Sequence, residues 1–214
     1  MKNSKLFLFC TFLAFGGSVF CQSNSTTNSR YFTTSLNLGI NSFSHRVNPE
    51  YSRAKPGPSI NFNGAYMINP WFGVRSDIHY NTFNSTLKPN LKSLHFGANA
   101  LFDFSSINRP NPTNTIYTFT YQGYIGFGLA TMWQGKFRSY EEGDYYIQGN
   151  DDMLFLNIGF SPKYKLDHKL YLNFDLSYVS NFLQNNYFDG SGLYEFQGYG
   201  GFFKFAVGVS YEFK

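Results

Sequence analysis

From residue 31 onward, the sequence alternates between apolar and polar or small residues. A period of two places successive side chains on opposite faces of a β-strand. Any fold of this chain must therefore give each strand one apolar and one polar surface. The last segment, FFKFAVGVSYEFK, places these residues on its apolar face: Phe203, Phe205, Val207, Val209, Tyr211 and Phe213.

Eight segments show this alternation, and no helical periodicity occurs after residue 30. Eight strands without helices to cover their edges predict a closed all-β structure, because open edges promote aggregation. We therefore predict an eight-stranded antiparallel up-and-down β-barrel, and the compositions of its two faces, given below, make it a transmembrane β-barrel. The segments are residues 31–43, 59–68, 71–81, 91–104, 117–130, 154–160, 170–178 and 202–214.

The connections between the segments alternate in length. The links at Asn69-Pro70 and Asp167-His168 are short, and residues 105–115 form an intermediate one. Bacterial outer membrane barrels have short periplasmic turns and longer extracellular loops, which is the pattern observed. The long connections are residues 44–58, 83–90, 135–152 and 183–201.

The polar face carries Asn, Ser, Thr and Gly with few charges, which decides between alternative folds. A β-sandwich or a lipocalin-like barrel would expose this face to water and should be rich in Lys and Glu there. Glycine instead suits the narrow interior of an eight-stranded barrel, and only Gly64 and Gly123 lie on the apolar face. The polar-face glycines are Gly39, Gly73, Gly97, Gly126, Gly128, Gly159 and Gly208.

The apolar face has no Asp, Glu, Lys or Arg between the strand ends. A basic residue at a bilayer midplane costs about 2–4 kcal/mol, so a lipid-facing surface must exclude it. Aromatic residues make up 21% of the chain, and those near strand ends predict two interfacial girdles. The girdle candidates are Phe72, Tyr80, Phe104, Tyr117, Tyr164, Tyr178, Tyr211 and Phe213.

The N-terminus predicts a cleavable signal peptide at residues 1–21. Lys2 and Lys5 precede an apolar run at 6–15, which is too short to span a bilayer. Acylation of Cys21 is the alternative, although Phe20 stands where a lipoprotein signal has a small residue. A short polar segment (22–30) and the barrel domain (31–214) follow. The mature chain has 15 basic and 13 acidic residues and no cysteine, so nothing indicates a nucleic-acid partner.

The leader, the eight strands and the closing Val207-x-Val209-x-Tyr211-x-Phe213 resemble the small OmpA/OmpX-like outer membrane β-barrel proteins of Gram-negative cell envelopes, especially the stand-alone barrels of Bacteroidota. The resemblance covers residues 31–214. It implies an outer membrane location, contact with lipid and lipopolysaccharide, and recognition of these closing residues by the barrel-insertion machinery. The chain departs from the pattern by ending on Lys214, and it lacks the peptidoglycan-binding domain of longer relatives.

Eight ionisable residues are predicted to point into the barrel. If the paired residue numbers of the third and fourth segments add to 176, Arg75 is a diagonal neighbour of Asp103, and His79 of His95. Buried charges must be paired, so we expect an ionic plug, with a proton path or a two-histidine metal site as alternatives. The interior set is Arg75, Asp77, His79, His95, Asp103, Asp175, Lys204 and Glu212.

The long connections combine charges and aromatic residues that suit a binding surface. The connections at 135–152 and 183–201 are acidic, whereas those at 44–58 and 83–92 are basic. Five acidic residues of the connection at 135–152 are also candidates for a Ca²⁺ site, although their spacing matches no EF-hand. They are Glu141, Glu142, Asp144, Asp151 and Asp152. The tyrosines proposed for binding are Tyr140, Tyr145, Tyr146, Tyr187 and Tyr194.

The sequence thus predicts a non-enzymatic integral outer membrane protein with a closed polar lumen and no cofactor. Its role would be structural or a surface interaction through the connections. A first alternative is an accessory subunit of a multi-protein secretion or uptake complex. A second is a lipid-modifying enzyme, for which Ser44, His45 and Glu50 form the only Ser/His/acid set in the connections.

Overall fold

The computed structural model describes residues 31–43, 54–85, 91–106, 119–134, 150–184 and 198–213. The predicted leader, the polar segment 22–30 and most of the long connections lie outside these ranges. Among the described residues, no helix has the length and apolar character needed to cross a membrane.

Eight long strands correspond to the eight predicted segments. A two-residue strand, β2, pairs with the end of β4. Several strands run further than the alternation predicts. Strand β4, for example, continues to Ser85. The predicted segment ends at residue 81 because Phe83 points inward but is apolar, which breaks the polar pattern of the inner face. A 3-10 helix, Phe104–Ser106, follows β5. The strands are β1 (Tyr31–Phe43), β2 (Ala54–Lys55), β3 (Gly57–Met67), β4 (Phe72–Ser85), β5 (Leu91–Asp103), β6 (Phe119–Gln134), β7 (Asp151–Lys165), β8 (Leu170–Gln184) and β9 (Gly198–Phe213).

The sheet closes on itself. The strand order is β4-β3-β1-β9-β8-β7-β6-β5, and β4 also pairs with β5, so the eight long strands form a complete ring. All of the pairings are antiparallel, and β9 pairs with β1 from Phe32↔Phe213 to Phe43↔Phe202. The predicted closed barrel is confirmed, and the last segment does pair with the first.

The register between β4 and β5 differs from the prediction. The paired residue numbers add to 174, so Arg75 lies opposite Asn99, and His79 lies directly opposite His95. Asp103 therefore lies further from Arg75 than expected. A shift of two residues leaves every side chain on its original face, so alternation constrains the face of each residue but not this register.

The two ends of the barrel have different connections. At the turn end, the Asn69 side chain accepts hydrogen bonds from the backbone of Trp71 (3.0 Å) and Phe72 (2.8 Å), which closes the β3–β4 turn. The β7–β8 turn at residues 166–169 lies at the same end. The opposite end, where the long connections join the strands, is called the loop end below.

Strand β8 contains a bulge near the loop end. Its register with β9 shifts between Asn181 and Gln184, and Leu183 has a positive φ of 60°. Because the bulge adds a residue, Leu183 is 45% exposed, whereas Gln184 turns into the lumen and is buried.

Candidate functional site

The barrel reverses the usual distribution of polar and apolar side chains. Asn37, Asn41 and Lys204 point inward and are fully buried, whereas Phe127 and Leu38 point outward and are 74% and 62% exposed. A water-soluble protein hides its large apolar residues and rarely exposes an extended apolar surface. The outer wall therefore has the properties of a surface covered by an apolar phase.

Charge is almost absent from this outer wall. Among the described residues that point outward along the strands, only Lys92 and Asp152 are charged, and both lie near the loop end. The rest of the wall between the turn end and these two residues carries no charge and is mainly apolar, with a few small polar residues such as Thr34 and Ser76. We call it the apolar belt. Such a belt meets the requirement of a hydrocarbon environment, which penalises charged side chains strongly.

Aromatic rings contact one another at both ends of the belt. Tyr117, one of the predicted girdle residues, lies outside the described ranges. The ring pairs at the turn end include Phe32–Phe213, Phe72–Phe102, Phe119–Tyr164 and Tyr211–Phe213, with centroids 4.8–5.9 Å apart. Those at the loop end are Tyr80–Trp133 at 6.2 Å and Tyr178–Phe203 at 4.9 Å.

The two glycines on the apolar face lie beneath aromatic rings. A Cβ at Gly64 would stand 3.3 Å from the Phe32 ring, and one at Gly123 would stand 2.6 Å from the Phe104 ring. A glycine in a strand leaves its backbone exposed because it has no side chain, and an aromatic ring that lies over the glycine covers this backbone. These glycines thus provide close packing for aromatic residues rather than interrupting the belt.

Arg75 is the centre of an ionic network inside the barrel. Its Nε donates to Asp77 Oδ1 (2.8 Å), and its Nη2 donates to Asp175 Oδ2 (2.9 Å) on β8. The Arg75 Cζ atom also lies 4.0 Å from the centroid of the Tyr124 ring. Tyr124 in turn donates from its hydroxyl to Asp175 Oδ1 at 2.8 Å. The guanidinium is therefore held from β4, β6 and β8 together.

Lys204 extends the network to β9. Its Nζ lies 3.5 Å from Asp175 Oδ1 and donates to His79 Nδ1 at 2.6 Å. His79 Nε2 is 3.8 Å from Asp77 Oδ2, which is longer than a hydrogen bond. Five of the eight predicted interior residues are thus connected, and the two acidic members balance Arg75 and Lys204. Paired charges of this kind avoid the cost of an isolated buried ion.

The other three predicted interior residues have different neighbours. Asn81 Nδ2 lies 3.2 Å from His95 Nδ1, and the His95 ring packs edge-on against Phe155 and Phe202. Asp103 accepts a hydrogen bond from the backbone of Ser105 at 3.0 Å. Glu212 accepts one from the Tyr171 hydroxyl at 2.9 Å. Asp103 and Glu212 both lie near the turn end.

Tyr124 is a member of the network that sequence reasoning missed. It reaches Asp175 across β7 because Gly159 lies beneath its ring, where a Cβ would overlap the ring atoms. Phe155 makes a similar approach over Gly128, where a Cβ would lie 2.7 Å from its ring. The available signal was an inward-pointing aromatic residue near an inward-pointing glycine on a neighbouring strand.

The sequence predicts a lumen that is polar along its whole length, but part of the lumen is apolar. A buried apolar cluster occupies the lumen near the loop end. Four of its members (Phe83, Met132, Met153 and Val179) lie beyond the predicted strand ends, and the other four are inward-pointing residues within predicted strands. His95 lies at the boundary between this cluster and the polar region. The cluster consists of Phe83, Leu91, Ala130, Met132, Met153, Phe155, Val179 and Phe202.

Comparisons with known proteins agree with this architecture. No protein-family model matches the sequence, and a comparison with curated proteins gave no match either. Among solved structures, the chain is similar to Neisserial surface protein A (TM-score 0.52, 13% identity, covering 86% of this chain and 97% of that one). It is also similar to the outer membrane protein OprG from Pseudomonas aeruginosa (0.51, 14%, 87% and 97%). The chain has the fold of the small outer membrane β-barrels.

The described residues include no group of three or more His, Cys, Asp or Glu side chains arranged to hold a metal ion. The rings of His79 and His95 have centroids 6.5 Å apart. Asp151 is buried inside the barrel and Asp152 is exposed outside, so these two candidates for a Ca²⁺ site point to opposite faces. The other candidates, Glu141, Glu142 and Asp144, lie outside the described ranges.

The remaining candidates from the sequence lie in connections that the structure does not describe. These candidates are Ser44, His45, Glu50, Tyr140, Tyr145, Tyr146, Tyr187 and Tyr194.

Proposed function

We propose that this protein is a non-enzymatic integral outer membrane β-barrel with a structural or surface-interaction role. The observation that carries the proposal is the apolar belt. It is broadly exposed, and it carries no charge from the turn end up to the level of Lys92 and Asp152 near the loop end. Lipid chains would cover the belt, and lipopolysaccharide would meet it near the loop end. The aromatic pairs at both ends support this placement, because aromatic girdles flank the apolar band of such barrels.

A closed lumen is the second part of the proposal. The network around Arg75 and the apolar cluster around Phe155 both fill the interior with buried side chains. Eight-stranded barrels have interiors that side chains can fill, which supports a role other than that of an open pore. Two of the four histidines, His79 and His95, are enclosed there, away from any lipid substrate.

The long connections are the proposed interaction surface. Tyr140, Tyr145, Tyr146, Tyr187 and Tyr194 would supply contacts, because tyrosine is enriched at protein interfaces. Val207, Val209, Tyr211 and Phe213 would form the strand read by the insertion machinery. Three of these four are well exposed on the outer wall of β9, where an external partner can reach them.

The experiment that tests the membrane assignment combines fractionation with one substitution. The protein should enter the outer membrane fraction, require detergent for extraction and migrate differently on gels before and after heating. Phe127→Arg, in the most exposed part of the belt, should reduce the folded, heat-modifiable form severalfold, since arginine at the midplane costs about 2–4 kcal/mol. Phe127→Leu is the matched control and should fold normally. Solubility without detergent would refute the assignment.

A separate measurement tests the closed lumen. Purified barrel reconstituted in planar bilayers should show no steady conductance, because charged and apolar layers both obstruct the interior. Frequent, long-lived openings of uniform size would show that the lumen is a pore and would contradict this part of the proposal while leaving the membrane assignment intact.

A further inference from the structure

Two charged side chains of opposite sign point outward near the loop end. They are Lys92 on β5 and Asp152 on β7, and they are the charged residues that the described strands place on the outer wall. Lys92 is half-buried and Asp152 is exposed. Among the described residues, neither has an ion pair or a side-chain hydrogen bond. Both charges therefore lie on the surface that a surrounding membrane would meet.

The strands of the barrel are inclined to its axis. Following directly opposite residues around the ring from Thr33, near the turn end, leads back to β1 at Phe43, near the loop end. A ring closes with such an offset only if its strands tilt. A row of paired residues therefore rises toward the loop end by about 3 Å at each step from β5 to β6 and from β6 to β7.

This inclination places Lys92 and Asp152 at the same height along the barrel axis. Lys92 lies opposite Trp133 on β6, whereas Asp152 lies opposite Thr131, which is closer to the turn end. The rise over two strand steps offsets this difference. The spacings of strands and residues separate the two Cα atoms by roughly 11 Å, which is too long for a direct salt bridge. A group that lies between Lys92 and Asp152 is needed to pair both charges.

An aromatic pair beside Lys92 marks the membrane interface at this height. The rings of Tyr80 and Trp133 have centroids 6.2 Å apart. Tyr80 lies on β4 and Trp133 on β6, so their contact spans β5 next to Lys92. Tyrosine and tryptophan are enriched where the acyl chains of a membrane meet the headgroups. Lys92 and Asp152 are therefore level with lipid headgroups rather than with acyl chains.

The two charges require a ligand with both an anionic and a cationic group. A purely anionic headgroup would pair with Lys92 but would be repelled by Asp152. A quaternary ammonium group has no N–H with which to donate to the Asp152 carboxylate. A phosphate joined to a primary ammonium group satisfies both residues, because each contact is then a charge-assisted hydrogen bond.

We propose that Lys92 and Asp152 bind the phosphoethanolamine group of a lipopolysaccharide molecule. The Lys92 ammonium group donates to the phosphate, and the ethanolamine ammonium group donates to the Asp152 carboxylate. Lipopolysaccharide is chosen over a phospholipid because the pair lies at the loop end, where the proposed function places that lipid. The inference thus rests on the proposed outer membrane location and names the headgroup that the outer wall selects.

Native mass spectrometry of the refolded full chain, with EDTA present, tests the headgroup chemistry. The chain is mixed with phosphatidylethanolamine, phosphatidylcholine and phosphatidylglycerol that have the same acyl chains. Phosphatidylethanolamine should be retained severalfold more than the other two, and equal retention or a preference for phosphatidylglycerol would overturn the proposal. Lipopolysaccharide with phosphoethanolamine should likewise be retained severalfold more than lipopolysaccharide without it. Equal retention of these two preparations would overturn lipopolysaccharide as the ligand.

Substitutions assign the preference to the two residues. Lys92→Gln and Asp152→Asn should each abolish the preference for phosphatidylethanolamine, and Asp152→Lys should change it to phosphatidylglycerol. Asp167→Asn and Lys169→Gln, at exposed positions of the β7–β8 turn, are the matched controls and should leave it unchanged. An unchanged preference in Lys92→Gln or Asp152→Asn would overturn the proposal.

Heat-modifiable migration of each variant separates this inference from the proposed function. A heat-modifiable, detergent-dependent barrel that shows no headgroup preference would refute the lipid site alone. A native chain that is soluble without detergent would refute the membrane assignment, and the lipid site with it.

Discussion

The Tyr124 hydroxyl donates a hydrogen bond of 2.8 Å to Asp175 Oδ1, although β7 separates their strands. The contact is short because Gly159, on the intervening strand, leaves room for the Tyr124 ring. A single glycine thus permits the cross-lumen bond that supports the salt bridge between Arg75 and Asp175. The network depends on a residue that takes no part in its hydrogen bonds.

Gly159→Val should therefore destabilise the barrel. The new side chain would displace the Tyr124 ring, which adds strain and removes a hydrogen bond to a carboxylate, at a combined cost of about 2–4 kcal/mol in the free energy of unfolding. Urea titration in lipid vesicles measures this. The second substitution Tyr124→Ala should make Gly159→Val much less harmful, and equal costs in both backgrounds would show that the ring contact is unimportant.

Arg75→Met should be more damaging than Lys204→Met. Arg75 bonds to two buried carboxylates at 2.8 and 2.9 Å, whereas Lys204 lies 3.5 Å from one of them. Removing one partner of a buried ion pair costs about 3–5 kcal/mol, because the remaining charge is uncompensated. Lys169→Met, at an exposed turn, is the control and should change stability by less than about 0.5 kcal/mol. The reverse order of the two interior variants would contradict the central position of Arg75.

The alternation predicted the closed barrel and the face of each interior residue, because the side-chain period of a strand is independent of its neighbours. It did not predict which interior residues meet. The shift from 176 to 174 in the β4–β5 register leaves all faces unchanged, yet it places Asn99 rather than Leu101 opposite Arg75. The bond from Arg75 to Asp175 crosses the barrel, and no pattern along one strand contains that information.

The apolar cluster at the loop end was missed for a related reason. Phe83 and Val179 keep the inward parity of their strands but break the polar pattern, so the strands were predicted to end before them. Tertiary packing inside the barrel overrides the local pattern in this region. Gly64 and Gly123 are a similar example on the outer wall. Their contacts with the rings of Phe32 and Phe104 explain why glycine occurs on the apolar face, which the sequence pattern does not.

Gly123→Ala should have opposite effects in two backgrounds. In the native chain, the new methyl group would meet the Phe104 ring at about 2.6 Å, so the ring must move and the change should be neutral or destabilising. In the Phe104→Ala background, the contact is absent, and replacing glycine within a strand should stabilise the barrel by about 0.5–1 kcal/mol. Urea titration of the four proteins of this cycle measures the coupling. The same effect in both backgrounds would refute the packing role of Phe104.

Leu183→Gly should stabilise the barrel, although most glycine substitutions in strands do the opposite. Leu183 has φ of 60°, a left-handed conformation that costs an L-residue with a side chain roughly 1–2 kcal/mol and glycine almost nothing. The side chain is 45% exposed, so part of this gain is offset by lost apolar contact and by the larger backbone entropy that glycine loses on folding, and a net increase below about 1 kcal/mol in the free energy of unfolding is expected. Leu176→Gly, at a similarly exposed position without a positive φ, is the matched control and should lower it. If both variants lose stability equally, the bulge at Leu183 is not strained.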